Sequence, residues 1–237
     1  MQTHTLPPWH SDLDKTTDSF VKASEEVVIS AIQGRLVLSQ FQDHGDILRV
    51  LSGLMWRHYI IFCTARLASH NNRSSMKTLV ECGVCEGLGT LFAMKSMDNL
   101  FRAYLYDAWA PMLTGATAAE AKMNGEYDYL ALETTKVNLK EYSQNCEFIK
   151  GVIPDSFHTR PLPEDICWMH IDLNAGAPTK AALDALFPRM SPKSVVLLDD
   201  YAWPAHRETK RLADDFFMDK PGMLLQFPTG QAAFFLD

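Results

Sequence analysis

The spacing of apolar residues along the chain changes near residue 76. Before this point, apolar residues recur every three or four positions, which is typical of amphipathic helices. The residues with this spacing are Phe20, Val27, Val28, Ile32, Leu36 and Phe41, followed by Ile47, Leu48, Leu51, Leu54, Met55, Tyr59 and Ile60. We therefore predict two or three helices here, and we assign residues 1–75 to a helical cap or oligomerisation segment.

After Met76, short apolar runs alternate with helical patterns. The predicted strands cover residues 78–83, 103–107, 147–152, 166–173 and 194–199, and residues 223–227 and 232–236 form a hairpin. The predicted helices cover residues 88–97, 130–142, a segment that begins at Pro178, and 208–218. Repeated strand–helix units predict a doubly wound α/β fold, a Rossmann-like parallel sheet covered on both faces, over residues 76–237. The C-terminal hairpin predicts one antiparallel strand at the edge of this sheet.

Composition and charge exclude several classes of protein. The chain has 237 residues, 47% of them hydrophobic, and a net charge of −7, so it is neither disordered nor a candidate for nonspecific binding to nucleic acid or an anionic membrane. Arg57 and His58 interrupt the most apolar stretch, which excludes a membrane span there. Five scattered cysteines and an N-terminus unlike a signal peptide predict a reduced, cytoplasmic protein.

A glycine-rich turn follows the first predicted strand. Its sequence, Glu81-Cys-Gly83-Val-Cys-Glu-Gly87-Leu-Gly89-Thr90, lacks the glycine spacing of dinucleotide-binding proteins. It resembles the acid-x-Gly-x-x-x-Gly-x-Gly pattern of class I methyltransferases, which bind S-adenosylmethionine. The alternative is a turn whose glycines serve packing alone.

A single aspartate, Asp107, closes the second predicted strand. A carboxylate at this position of a doubly wound sheet can accept hydrogen bonds from both ribose hydroxyls of a nucleotide. The alternative is a solvated loop aspartate. The long polar stretch that follows, residues 109–129, has the length of a lid or binding loop.

Three aspartates end two further strands. Asp172 closes the segment WMHIDL, and Asp199 and Asp200 close VVLLDD. Adjacent parallel strands lie about 4.8 Å apart, so these carboxylates can converge at one edge of the sheet. Clustered carboxylates repel one another unless a proton or a cation neutralises them, and their oxygens suit Mg²⁺. The alternative is that Asp200 caps the next turn and Asp172 orders a loop, without a metal.

Four segments of the chain resemble the macrocin O-methyltransferase family, whose members methylate sugar hydroxyls. The segments are LVECGVCEGLGT, YLYDAW, HIDLNAGAPTKAALDALFPRMSPKSVVLLDDYAW and FPTGQAAFFL. The resemblance implies a seven-stranded methyltransferase sheet that ends in an antiparallel hairpin. It implies S-adenosylmethionine at the glycine turn and Asp107, with Asp155 facing the adenine ring, and Mg²⁺ on the three aspartates. The implied cofactor residues of the turn are Glu81, Gly83, Gly87, Gly89 and Thr90.

One position departs from the pattern of that family. The sugar methyltransferases have an acidic residue, suited to act as base, two positions after the first metal aspartate. Here this position is Asn174, which cannot accept a proton at neutral pH. His206 and Asp172 are therefore the predicted catalytic residues, with His206 favoured as base. His170 as base, and an acceptor acidic enough to need none, remain alternatives.

The leading interpretation is a Mg²⁺-dependent O-methyltransferase for a small natural product, such as a sugar, a vicinal diol or a catechol. Trp109, Tyr201 and Trp203 are predicted to shape its acceptor pocket, and a homo-oligomer is expected. One alternative is a metal-independent N- or O-methyltransferase. The other is a noncatalytic adenosylmethionine-binding protein, which Asn174 favours and the acidic set opposes.

Overall fold

The computed structural model describes residues 15–39, 43–97, 100–113 and 117–237. The first elements of the described residues are three helices, α1 (Lys15–Ile32), α2 (His44–Gly53) and α3 (Met55–Asn71). The predicted N-terminal helices are thus confirmed, although Phe41 lies outside the described residues. Of the described helices, none is both long and apolar enough to cross a membrane.

Seven strands form one sheet with the order β3-β2-β1-β4-β5-β7-β6. The strands are β1 (Lys77–Cys82), β2 (Phe101–Asp107), β3 (Cys146–Lys150), β4 (Ile166–Ile171), β5 (Met190–Leu198), β6 (Gly222–Gln226) and β7 (Ala232–Leu236). Strands β1 to β5 pair in parallel, and β7 is antiparallel to both β5 and β6. The predicted fold class is confirmed. The predicted C-terminal hairpin at the edge of the sheet is confirmed as well, and within it the antiparallel strand β7 lies between β5 and the outermost strand β6.

Four more helices accompany the strands: α4 (Leu88–Lys95), α5 (Leu132–Asn138), α6 (Gly176–Leu186) and α7 (Arg207–Phe217). Helix α5 is shorter than predicted and ends at Asn138. The side-chain amide of Asn138 forms hydrogen bonds with the backbone N–H and carbonyl of Val37 and with the carbonyl of Glu86. Helix α6 begins two residues before Pro178. The buried carboxylate of Glu120, from the segment between β2 and α5, accepts a hydrogen bond from the Gly176 N–H and so supports the earlier start.

Two hydrophobic cores lie on opposite faces of the sheet. In β5, Val195 and Leu197 belong to the core on one face, and Val196 and Leu198 belong to the core on the other. This follows from the alternation of side chains along a strand, and it explains why the central strands read as continuous apolar runs. Helix α3 packs against α4 and β5, so the N-terminal helices share the first core with the sheet. The boundary after residue 75 stays a prediction.

The strand order reverses between β1 and β4. From β1 the chain builds outward through β2 to β3, and then crosses back to place β4 on the other side of β1. The loops after these two central strands diverge to opposite faces, which opens a crevice at their carboxyl ends. The glycine-rich turn after β1 and Asp172 after β4 both lie at this crevice.

Candidate functional site

A cavity of about 920 Å³ opens at the carboxyl ends of the central strands. Many of the residues predicted from the sequence line it. These are Glu81, Gly83, Gly89, Asp107, Asp172, Asp199, Asp200, Trp203 and His206. The other predicted site residues do not line it, namely Gly87, Thr90, Asp155, Trp109 and Tyr201.

The turn after β1 needs glycine because the backbone passes close to β4. Gly83 has φ +87°, and a Cβ added there would lie 1.8 Å from the carbonyl oxygen of Asp172. Only glycine tolerates this conformation and this approach without distortion. The close packing holds the glycine turn beside Asp172, where both border the cavity.

A line of buried polar side chains runs beneath the glycine turn. The Thr90 hydroxyl donates a hydrogen bond to one oxygen of Glu81, and Nδ1 of His170 lies 2.8 Å from the other oxygen. Nε2 of His170 lies 3.4 Å from Oδ1 of Asp199. Glu81, Thr90 and His170 are each at most 3% exposed. Glu81 and His170 therefore connect the glycine turn to the acidic residues of β5.

Both oxygens of Asp107 hold the backbone of the glycine turn and the following loop. One accepts hydrogen bonds from the N–H groups of Val84 and Cys85, at 2.7 and 2.8 Å, and the other accepts from the N–H of Trp109, at 2.6 Å. Burial raises the pKa of Asp107 above its usual value, although these three donors act in the opposite direction. A carboxylate has about four lone-pair sites, so the oxygen bound by Trp109 can accept one further hydrogen bond.

The three predicted aspartates converge at one point of the cavity. One oxygen from each of Asp172, Asp199 and Asp200 lies within 4.8 Å of the others. Asp199 is fully buried, and its Oδ1 accepts a 2.7 Å hydrogen bond from Gln231. Burial, and next the charge of Asp172, raise the pKa of Asp200. The carboxylates of Asp172 and Asp200 therefore repel each other, as expected for clustered like charges.

A cation from the N-terminal helices contacts two of these aspartates. Nη2 of Arg57, on α3, lies 3.2 Å from Oδ2 of Asp172 and also contacts Oδ2 of Asp199. The Arg57 side chain is 28% exposed, so it reaches the cavity without being enclosed. In the sequence, Arg57 stands out only as a charge that interrupts an apolar stretch, and this charge is the one signal that points to it.

His206 and Asn174 lie on either side of Asp200. Nε2 of His206 is 3.8 Å from Oδ1 of Asp200, and Nδ1 of His206 is buried without a hydrogen-bond partner among the described residues. The backbone N–H of Asn174 donates a 2.8 Å hydrogen bond to Oδ2 of Asp200. Asn174 thus orients Asp200 through its backbone N–H, and its φ of +54° is a conformation that asparagine adopts more readily than most residues.

The two predicted tryptophans have different positions. Trp109 is 3% exposed, and its Nε1 donates hydrogen bonds to the carbonyl of Cys85, at 3.1 Å, and to the hydroxyl of Thr135, at 2.8 Å. It therefore packs behind the glycine turn, and it contacts no part of the cavity. Trp203 is 48% exposed and lines the cavity, as expected for a residue at its mouth.

Tyr201 and Asp155 also lie away from the cavity. The Tyr201 hydroxyl donates to Asp214 of α7 and accepts a 2.6 Å hydrogen bond from Lys210, so its polar end faces that helix. Asp155 is exposed, although the preceding residues Val152 to Pro154 line the cavity. Contact of Asp155 with an adenine ring stays a prediction.

Two tyrosines that the sequence analysis did not single out line the cavity. Tyr127 and Tyr129 come from the end of the long loop after β2; the charges of Asp172 and Asp200 act on Tyr127, and Cys85 of the glycine turn acts on Tyr129. Burial, followed by the charge of Asp172, raises the pKa of Tyr127 to about 12. The Tyr127 hydroxyl therefore stays protonated at neutral pH and can donate a hydrogen bond.

Comparison with known proteins agrees with this geometry. The profile of the family described as "Methyltransferase domain" matches residues 80–201, which include the glycine turn and all three aspartates. No curated protein matches the chain.

Several solved structures share the fold. The O-methyltransferase NovP has a TM-score of 0.63 and 20% identity, over 77% of this chain and 80% of NovP. The calicheamicin methyltransferase CalS11 has a TM-score of 0.57 and 15% identity, over 99% of each chain. The O-methyltransferase TomG of Streptomyces achromogenes, solved with S-adenosylmethionine, has a TM-score of 0.53 and 13% identity, over 95% of this chain and 91% of TomG. At these identities, the likeness establishes the fold.

Proposed function

Since the chain belongs to the methyltransferase-domain family, we propose that it methylates a hydroxyl of a small natural product, using S-adenosylmethionine and Mg²⁺. The observation that carries the proposal is the convergence of three carboxylates beside the glycine turn, in one cavity. CalS11, a TDP-rhamnose 3′-O-methyltransferase, and TomG, solved with S-adenosylmethionine, support a hydroxyl acceptor and this cofactor. Membership of the macrocin branch stays a prediction.

The glycine turn and Asp107 fit the proposed cofactor. Gly83 and Gly89 both line the cavity, so backbone forms this part of its wall and can approach a ligand closely. Asp107 offers carboxylate oxygens for ribose hydroxyls. The bound cofactor supplies an activated methyl group, so the protein contributes mainly the placement of the acceptor.

The acidic residues fit a hard divalent cation. Mg²⁺ binds oxygen ligands at about 2.1 Å, so opposite ligands lie about 4.2 Å apart. The 4.8 Å span of the oxygens of Asp172, Asp199 and Asp200 needs only small side-chain movements to match this geometry. Arg57 has to leave Asp172 and Asp199 for a cation to bind both. A cation held there would lower the pKa of a substrate hydroxyl and orient it.

Chelation tests the metal directly. We expect EDTA to lower turnover by at least about 100-fold, because removal of the cation withdraws stabilisation of a developing alkoxide. Excess Mg²⁺ should restore it, while the affinity for adenosylmethionine, measured by calorimetry, stays within about threefold. Full turnover in EDTA would contradict the metal part of the proposal and leave methyl transfer itself intact.

A metal-independent methyltransferase is the second candidate, and the position of Arg57 favours it. The guanidinium of Arg57 already contacts Asp172 and Asp199, so it supplies positive charge at the place proposed for the metal. A cation fixed by the protein would also stabilise an oxyanion of the acceptor. Full turnover in EDTA, together with loss of turnover in Arg57→Met, would support this second candidate.

His206 is the base in the proposed mechanism. It lines the cavity next to Asp200, and a neutral imidazole there can accept the proton of an acceptor hydroxyl. The carboxylate of Asp200 stabilises the imidazolium that results. Asn174 cannot take this role, and His170 is committed to Glu81 and Asp199.

Replacement of the imidazole tests this role. We expect His206→Gln to lower kcat by about 100-fold, since general-base catalysis contributes factors of this size, and to leave adenosylmethionine affinity nearly unchanged. His158→Gln is the matched control, because His158 is exposed and does not line the cavity. An unchanged kcat in His206→Gln would exclude His206 as base and favour an acceptor that loses its proton without one.

A further inference from the structure

Carboxylates dominate the charged side chains that line the cavity. They are Glu81, Glu86, Asp107, Asp172, Asp199 and Asp200. Among the lining residues that the structure describes, Arg57 is the one lysine or arginine. Residues 40–42 and 114–116, which neighbour cavity residues in the sequence, contain no lysine or arginine.

Bound cofactors do not reverse this balance. Arg57 contributes one positive charge, a divalent cation two and the sulfonium one, so the six carboxylates remain in excess. His58 adds no charge, because burial lowers its pKa to about 3. The interior of the site therefore keeps an excess of negative charge, and its walls screen charge less than bulk water does.

The mouth of the cavity is apolar. Leu113 is 84% exposed and Trp203 is 48% exposed, and both line the opening. Val50 and Leu54, from the N-terminal helices, line the cavity together with Met112. Exposed apolar side chains around a concave site are typical of a surface that binds an apolar ligand.

We propose that the acceptor is a phosphate-free hydroxyl compound with an apolar body, and that the charge of the cavity excludes phosphorylated acceptors such as nucleotide sugars. This inference rests on the proposed function. The reacting hydroxyl lies at the carboxylates, and the apolar body lies against the rim formed by Met112, Leu113 and Trp203. CalS11 shares the fold but is a TDP-rhamnose methyltransferase, so the inference expects this chain to differ from that neighbour in its acceptor.

A matched pair of acceptors tests the inference. The probes are 3,4-dihydroxyphenethyl alcohol and its phosphate monoester, which carry the same diol and differ by a charge of about −2. Formation of adenosylhomocysteine is measured with the full chain, Mg²⁺ and adenosylmethionine. We expect kcat/KM for the ester to be at least about tenfold lower, because like charges repel at short range. An ester that is methylated as well as the neutral diol would overturn the inference.

A charge added at the mouth provides the matched variant. Leu113→Lys should raise the ratio of ester to diol kcat/KM by about threefold or more, and Leu113→Met should leave this ratio unchanged. A ratio that rises equally in both variants would overturn the role of charge.

Binding of thymidine diphosphate separates this inference from the proposed function. Titrated into protein saturated with adenosylhomocysteine, the nucleotide should bind no more tightly than about 1 mM. A Kd below about 100 µM would overturn the inference even if neither diol is methylated. A protein that does not bind adenosylhomocysteine would contradict the proposed function. If such a protein also fails to bind thymidine diphosphate, that result would support the inference that the charge of the cavity excludes phosphates.

Discussion

Asparagine in place of Asp199 is expected to lower kcat by at least about 100-fold while adenosylmethionine binding persists. Asp199 is fully buried, and its two oxygens face Gln231, His170 and Arg57, so the whole acidic site depends on its charge. Asparagine keeps the size of the side chain and removes one charged oxygen. Steady-state kinetics and calorimetric titration with the cofactor separate the two effects.

The control for this experiment is Asp184→Asn. Asp184 lies on α6, between β4 and β5, and forms an exposed ion pair with Lys180, which contributes little to stability. Its kcat should equal that of the parent protein. If Asp199→Asn turns over at the parent rate, neither a metal at the three aspartates nor an Arg57 held by them takes part in the reaction. Thermal unfolding of each variant checks that the fold persists.

Alanine at Gly83 is expected to destabilise the protein by at least about 3 kcal/mol and to abolish cofactor binding. The added Cβ would meet the carbonyl oxygen of Asp172 at 1.8 Å, and φ of +87° is itself unfavourable for alanine. The backbone after β1 or after β4 has to move. Either movement displaces the glycine turn or Asp172 from the cavity.

The matched control is Gly125→Ala. Gly125 has the same φ of +87°, but an added Cβ there meets no atom within 4 Å. We expect Gly125→Ala to lower the free energy of unfolding by only about 1 kcal/mol, which is the cost of placing alanine in this backbone conformation. Equal losses of stability in the two variants, measured by urea unfolding, would contradict the importance of the approach between Gly83 and Asp172.

Part of the site was predictable because it depends on topology. Asp172 directly follows β4, and Asp199 and Asp200 follow β5; the carboxyl ends of parallel strands share one edge of the sheet. Their convergence to within 4.8 Å follows from strand order and strand spacing. The position of the glycine turn was predictable for the same reason, because it comes directly after β1.

The aromatic residues beside the site were not predictable in the same way. Trp109 and Tyr201 follow strand-end aspartates in the chain, but their side chains turn away from the cavity. Trp109 has φ +41° and is bound to Thr135, and Tyr201 is bound to Asp214 on α7. Neighbourhood in the sequence does not determine the direction of a side chain outside regular structure, where partners from other elements decide it.

The sequence by itself determined the strand–helix alternation, the seven strands and the acidic residues at the strand ends, because these depend on local patterning and on the parity of side chains. The tertiary structure decided which charge neutralises those residues and which loops close the cavity. Arg57 reaches Asp172 across 115 residues of chain, through the packing of α3 on the sheet. Contacts of this kind arise from the relative placement of elements, which no local pattern encodes.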